Sequence, residues 1–136
     1  MRTLAIDHGT VRMGIALSDE LGMIASPLEF IPAEPFEGFV TRLQHILREK
    51  EVGLILIGMP RNMDGSYGPA TEKVRECVAK LKESITVPIR TWDERLTSVQ
   101  ANRIMRQNNV RRDQKKEKVD SMAAAILLQS YLDSVG

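Results

Sequence analysis

The run VGLILIGM, Val52–Met59, places no polar side chain in eight consecutive residues. So short and continuous an apolar stretch reads as a strand covered on both faces, which implies parallel pairing with helices packed against it. The chain around this strand divides readily. Residues 4–6 and 11–17 are apolar and strand-like, and Gly9 and Gly14 suit a tight hairpin between them. Residues 23–31 read as a third strand, with Pro27 arguing for an edge position or a break. Phe36, Phe39, Val40, Leu43, Ile46 and Leu47 recur at helical spacing up to Lys50. A second stripe, Val74, Cys77, Val78 and Leu81, marks a helix over 69–84 and assigns Cys77 to the core. Residues 87–92 form a fifth strand that ends in Asp93 and Glu94. Beyond it come a helix over 99–108, a basic loop over 110–116 and an Ala- and Leu-rich helix over 119–132.

The order is three strands, helix, strand, helix, strand, helix. It predicts an α/β fold: a mixed five-stranded sheet, three strands antiparallel and then two parallel, with helices on both faces. Right-handed crossovers put the fourth strand beside the first and the fifth beyond it. The carboxyl ends of strands one, four and five then share one rim, where open α/β sheets bind ligands. At 136 residues and 43% hydrophobic content, one core and one domain over 1–136 are expected. The single cysteine excludes an internal disulfide and an all-cysteine metal site, and no apolar run reaches membrane-spanning length. A chain of this kind is expected to be soluble and cytoplasmic, with no membrane partner.

Three distant segments contribute acids. Asp7 closes strand one, Asp93 and Glu94 close strand five, and Asp120 falls in the first turns of the last helix. Ala123, Ala124, Leu127 and Tyr131 follow Asp120 at three, four, seven and eleven residues, so a carboxylate heads an apolar, core-facing row. Such a group needs a partner, because a buried isolated charge is costly. Alternatively Asp7 serves the turn and Asp120 complements the helix dipole. Carboxylates gathered at one rim repel unless a divalent cation neutralises them, and their hard oxygens suit Mg²⁺ or Mn²⁺. Two such ions can activate water and stabilise the leaving oxygen in phosphodiester cleavage. Strand alternation sends Asp93 and Glu94 to opposite faces; the longer reach of Glu94 favours it, with Asp93 in reserve.

The charge distribution points to a polyanion. Formal net charge is only +1, yet between Arg103 and Lys118 seven basic residues face two acidic ones, leaving the rest of the chain net acidic. A basic flap holding Arg111, Arg112, Lys115 and Lys116 beside an acidic site is what a nucleic-acid substrate requires. Arg61, in the loop after strand four, lies on the same rim and is a further phosphate contact. Trp92 is assigned to the core, His45 to a helix surface, and His8 receives no chemistry because it points away from Asp7.

The segments IDHGTVRMGIALSD, IGMPRNMDGS, WDERLTS and KVDSMAAAILLQSYL, in this order and spacing, resemble the YqgF family, the RuvX or Holliday junction resolvase group of the RNase H-like superfamily. The likeness spans essentially the whole chain. It implies an RNase H-like fold and a metal-dependent nuclease with Asp7, Glu94 and Asp120 as the acidic triad. It also implies action on the 5′ end of pre-16S rRNA or, as the alternative, on four-way DNA junctions. Against the related RuvC resolvases, which carry an acid after the fourth strand, this chain has Gly58, Met59 and Pro60. Ser98 stands where Thr is more usual. Two further readings are a phosphate-binding ATPase of the actin-like or sugar-kinase type, which needs a second domain, and a non-catalytic nucleic-acid-binding module, which leaves the acids unexplained. The oligomeric state is left open.

Overall fold

A computed structural model of the chain describes residues 1–60, 68–93 and 112–135, and for 112–122 the backbone alone. Its elements are β1 (Arg2–Asp7), β2 (Arg12–Ser18), β3 (Ala25–Pro32), α1 (Phe36–Glu49), β4 (Val52–Met59), α2 (Pro69–Ser84), β5 (Ile89–Asp93) and α3 (Arg112–Val135). The strands form one sheet in the order β3-β2-β1-β4-β5. β1 with β2 and β2 with β3 are antiparallel; β1 with β4 and β4 with β5 are parallel. This is the mixed sheet expected from the pattern of elements.

Strand alternation divides the interior into two cores. Leu4, Ile6, Ile15, Ile55 and Ile57 face α1 and α2, where Phe39, Leu43, Val74, Cys77 and Leu81 complete a large aliphatic core. The opposite face presents Ala5, Ala16 and Leu56 to α3, which supplies Ala124, Leu127, Leu128 and Tyr131. β4 contributes to both, which is why its sequence has no polar position. Each fully buried Leu, Ile or Phe contributes roughly 1.5–3 kcal/mol of transfer free energy. On the α3 side the small side chains matter as much: alanines on sheet and helix let the two backbones approach closely.

Pro27 does sit in an edge strand. β3 pairs only with β2, and the ladder slips between Ile15 and Ala16, opposite Glu29 and Pro27, where the proline has no N–H to donate. β5 starts at Ile89 instead of residue 87, since Pro88 cannot donate and contributes only its carbonyl, which accepts from Ile55 N–H at 2.9 Å. The larger correction is α3. It begins at Arg112, so Arg112, Lys115 and Lys116 are helical and not part of a loop. The stretch 112–118 contains no Gly or Pro and is rich in Gln, Glu and Lys, all good helix formers. Asp120 is consequently two turns inside the helix, beyond the first turn where the dipole helps an acid. The helix expected over 99–108 lies outside the described residues. Among the described residues no helix is long and apolar enough to cross a membrane.

Replacing Ala124, fully buried against the sheet, by Leu should overpack the α3 interface and cost about 1–3 kcal/mol, read as a lower urea midpoint. A second outcome concerns the ion pair joining α1 to β3. Arg42 Nε and Nη2 donate to the two oxygens of Glu29 at 2.8 and 2.6 Å, holding its carboxyl below its ordinary value of 4.5. A depressed pKa contributes stability that is complete above 4.5 and is lost as pH falls below it. Glu29→Gln should therefore flatten the acid limb of midpoint against pH and leave the neutral region's slope unchanged.

Candidate active site at the carboxyl ends of the strands

Asp7 is the last residue of β1 and is half-buried. It follows Ala5 by two positions, so its side chain belongs to the α3 face. Across the sheet its β2 partner is Gly14. On the other side, Ile6 pairs with Ile57, and the next step of that register sets Gly58 beside Asp7. The carboxylate thus stands between two positions that carry no side chain. Gly58 in turn pairs with Trp92, which closes the row. Trp92 packs edge-on against Tyr131, ring centres 5.3 Å apart, and its Nε1–H donates to Ser130 Oγ at 3.3 Å. The indole therefore joins the α3 core, as expected of a strand tryptophan.

The register also separates the two acids after β5. Arg90 and Trp92 both touch α3, Arg90 by donating to Tyr131 Oη at 3.1 Å. Asp93 pairs with Met59, on the side of Ile55, Ile57 and the α1 and α2 core. It faces away from Asp7. Glu94 lies outside the described residues.

Gln129 fixes the direction of α3. Its Oε1 accepts from Ala25 N–H and its Nε2 donates to Met23 O, both at 2.9 Å, at the start of β3. Ala25 pairs with Ser18, level with the beginning of β1. The C-terminal half of α3 is thus tied to the end of the sheet opposite Asp7, and the helix runs back toward the Asp7 rim. Position 120 precedes Ala124, Leu127 and Tyr131 on the buried row by one, two and three turns. The side chains of Asp120, Arg112, Lys115 and Lys116 lie outside the described residues, as do Arg61 and Arg111 entirely. Among the described residues, no three His, Cys, Asp or Glu side chains come together.

The other face of the same rim holds residues with no assigned role in the sequence reading. His8 points to the α2 side, where burial first and the Lys73 ammonium second hold its imidazole below 6.5. Two cavities meet at His8, Thr10 and Lys73. One, about 350 Å³, extends past Glu34, Glu76 and Lys80; the other, about 260 Å³, is walled by Pro60, Pro69 and Val74. Strand alternation at His8 was the only signal in the sequence for this side. Cys77, at the back of the larger cavity, is pushed up to about 11 by burial and is inert as a nucleophile. His45 is on the outer surface of α1, paired with Glu49 at 2.8 Å.

Comparison with known proteins decides the kinship. A model of the family described as "RuvX: Holliday junction resolvase" matches residues 1–134. The chain belongs to the RuvX family. It is 46% identical over 134 residues to a protein of Desulforamulus reducens named "Putative pre-16S rRNA nuclease", covering 98% of each chain. A Geobacillus kaustophilus protein of the same name is 43% identical over 136 residues, covering 98% of this chain and 99% of that one. Among solved structures, the fowlpox virus Holliday junction resolvase superposes with a TM-score of 0.58 at 14% identity, covering 98% of this chain and 99% of the other. Thermus thermophilus RuvC, in complex with a Holliday junction substrate, gives 0.56 at 15% identity over 99% and 95%. These likenesses establish the RNase H-like fold for this RuvX family member.

The turn that follows Asp7 has no slack. A Cβ on Gly9 would lie 2.2 Å from the Arg12 carbonyl oxygen, a backbone atom that cannot move aside alone. Gly9→Ala should destabilise the protein by about 1–3 kcal/mol in urea unfolding, the range of other overpacked sites.

Proposed function

We propose that this chain is a metal-dependent nuclease that hydrolyses phosphodiester bonds in precursor RNA, at the 5′ end of pre-16S rRNA, in the cytoplasm and as one domain over 1–136. The observation that carries the reading is the placement of Asp7. It ends a central strand between Gly14 and Gly58, on the face crossed by α3, in a chain whose family is described as a Holliday junction resolvase and whose relatives carry the name "Putative pre-16S rRNA nuclease". The donor set, carboxylate oxygens with glycine on either side of Asp7 in the row, fits a hard divalent ion, Mg²⁺ or Mn²⁺ and in all two ions.

Asp7, Glu94 and Asp120 are the residues that hold the metal. Glu94 is preferred to Asp93 because Asp93 is turned away from the α3 face that Arg90 and Trp92 share. When bound, the ions supply an activated water and neutralise charge on the leaving oxygen. Arg61, Arg111, Arg112, Lys115 and Lys116 hold backbone phosphates and set the position of the strand, and Trp92 walls the end of the row.

Asp7→Asn, Glu94→Gln and Asp120→Asn should each lower cleavage of precursor rRNA by at least about 100-fold, beyond what loss of an outer-shell partner costs. Asp93→Asn should retain activity, and chelation of divalent metal should abolish it. A parallel assay with a four-way DNA junction, at matched Mn²⁺ and salt, separates the substrates: faster, symmetric nicking of the junction would replace the RNA reading with resolution. Metal-independent RNA binding with no cleavage by the wild type would leave only a binding module.

A further inference from the structure

The α2 side of the rim is built from the β1–β2 turn, the first turn of α2 and the end of β4. In the turn, which carries His8 and Thr10, the backbone comes so close to itself at Gly9 that a Cβ there would meet the Arg12 carbonyl oxygen. The first turn of α2 is tied to the end of β4 by Thr71, which is 1% exposed and donates its hydroxyl to the Pro60 carbonyl. Between them, the smaller cavity has Lys73 and His8 as its ionisable lining groups among the described residues, with Thr10 as a further polar contact and prolines and Val74 as walls. The larger cavity beside it is electrically mixed, because Glu34 and Glu76 offset Lys73 and Lys80. Lys73 and Thr10 are exposed, and among the described residues Lys73 enters no ion pair. Gly68, the residue before α2, contributes no side chain to its first turn.

Lysine, threonine and a helix amino end are three of the donor types that grip nucleic-acid phosphates. Among the described residues the cavity wall carries no aromatic ring and no amide or carboxylate side chain, and its polar groups suit a phosphate. Asp7 and His8 are consecutive and point to opposite faces, so this cavity and the Asp7 carboxylate lie on either side of one strand end.

We propose that the cavity between Thr10 and Lys73 binds a backbone phosphate of the nucleic-acid substrate, next to the one being cut, so that the strand is held across the end of β1. This rests on the nuclease reading for its substrate, although the phosphate contact itself is testable without catalysis. Lys73 supplies the charge and Thr10 a hydroxyl donor. Both are positioning residues, acting on the substrate backbone and not on the reacting atoms.

The test uses the full chain, with a fluorescein-labelled single-stranded RNA and a labelled four-way DNA junction as probes, in EDTA so that nothing is cut. Affinity is measured by anisotropy between 50 and 200 mM salt for wild type, Lys73→Ala, Thr10→Ala and Lys82→Ala, the last on the same helix at the far end of the molecule. Lys73→Ala should weaken binding to each probe it recognises and reduce the slope of log K against log salt by roughly 1, as loss of one phosphate contact does. Thr10→Ala should weaken binding roughly 2- to 5-fold with the slope unchanged, the loss of one neutral hydrogen bond. Lys82→Ala should match wild type. A wild-type slope in Lys73→Ala overturns the inference, and so does an equal change in Lys82→Ala. Cleavage in Mn²⁺ by wild type and by Asp7→Asn is scored separately. If wild type does not cut but the Lys73 slope difference is present, the nuclease reading fails and the phosphate site stands. If cutting depends on Asp7 while Lys73 has no effect on the slope, the reverse holds. Failure of wild type to bind either probe overturns both.

Discussion

Alanine lies against alanine where α3 crosses the sheet. Ala124 and Ala125 on the helix share a core with Ala5 and Ala16 on β1 and β2, and larger side chains take over only further along, at Leu127, Leu128 and Tyr131. Close approach has two consequences. It brings the buried row of α3 down onto the face that carries Asp7, and it removes any tolerance for extra volume in the contact. Gln129 then sets the direction, pinning the far half of the helix to the start of β3. Position 120 on the helix backbone is set by these contacts, made well away from it, and lies two turns from the start of α3.

The sheet itself supplies the second organising element. β4 is buried on both faces, so β1 and β5 are held in fixed register on either side of it. Register at this point carries chemical meaning, because a one-residue slip sends every side chain to the other face. It separates Asp93 from the α3 side while keeping Trp92 there, and it separates Asp7 from His8. The two faces of one strand end consequently differ in character. Toward α3 there is a carboxylate between glycines; toward α2 there are an ammonium, an imidazole and a hydroxyl in a small cavity. On the proposed nuclease reading, a polyanionic strand crossing the rim would meet carboxylate oxygens on one side and cationic donors on the other.

Much of this was legible from residue order alone. Unbroken apolarity in VGLILIGM predicted the doubly covered strand, the 3.6-residue spacing from Phe36 to Leu47 and from Val74 to Leu81 predicted α1 and α2, and Pro27 predicted an edge. Four motifs also sufficed to identify the family that the comparisons establish. The start of α3 was misread because a basic run resembles a loop in composition, whereas Lys, Gln and Glu propagate a helix once it is nucleated by packing further on. Asp120 moved from the first turn to the third for that reason.

Periodicity is a local property, and so the sequence by itself determined where the described elements lie, though not all of their ends, which side chains of one element share a face, and that Asp7 and Asp93 close strands. Which faces meet is not local. Only the tertiary structure decided that Ala5 and Asp7 look toward α3, that Asp93 looks away, and that His8, Thr10 and Lys73, sixty-three residues apart from Thr10 to Lys73, close around one cavity. Such contacts come from pairing register and helix docking, in which each residue's neighbours are chosen by burial of surfaces elsewhere in the chain.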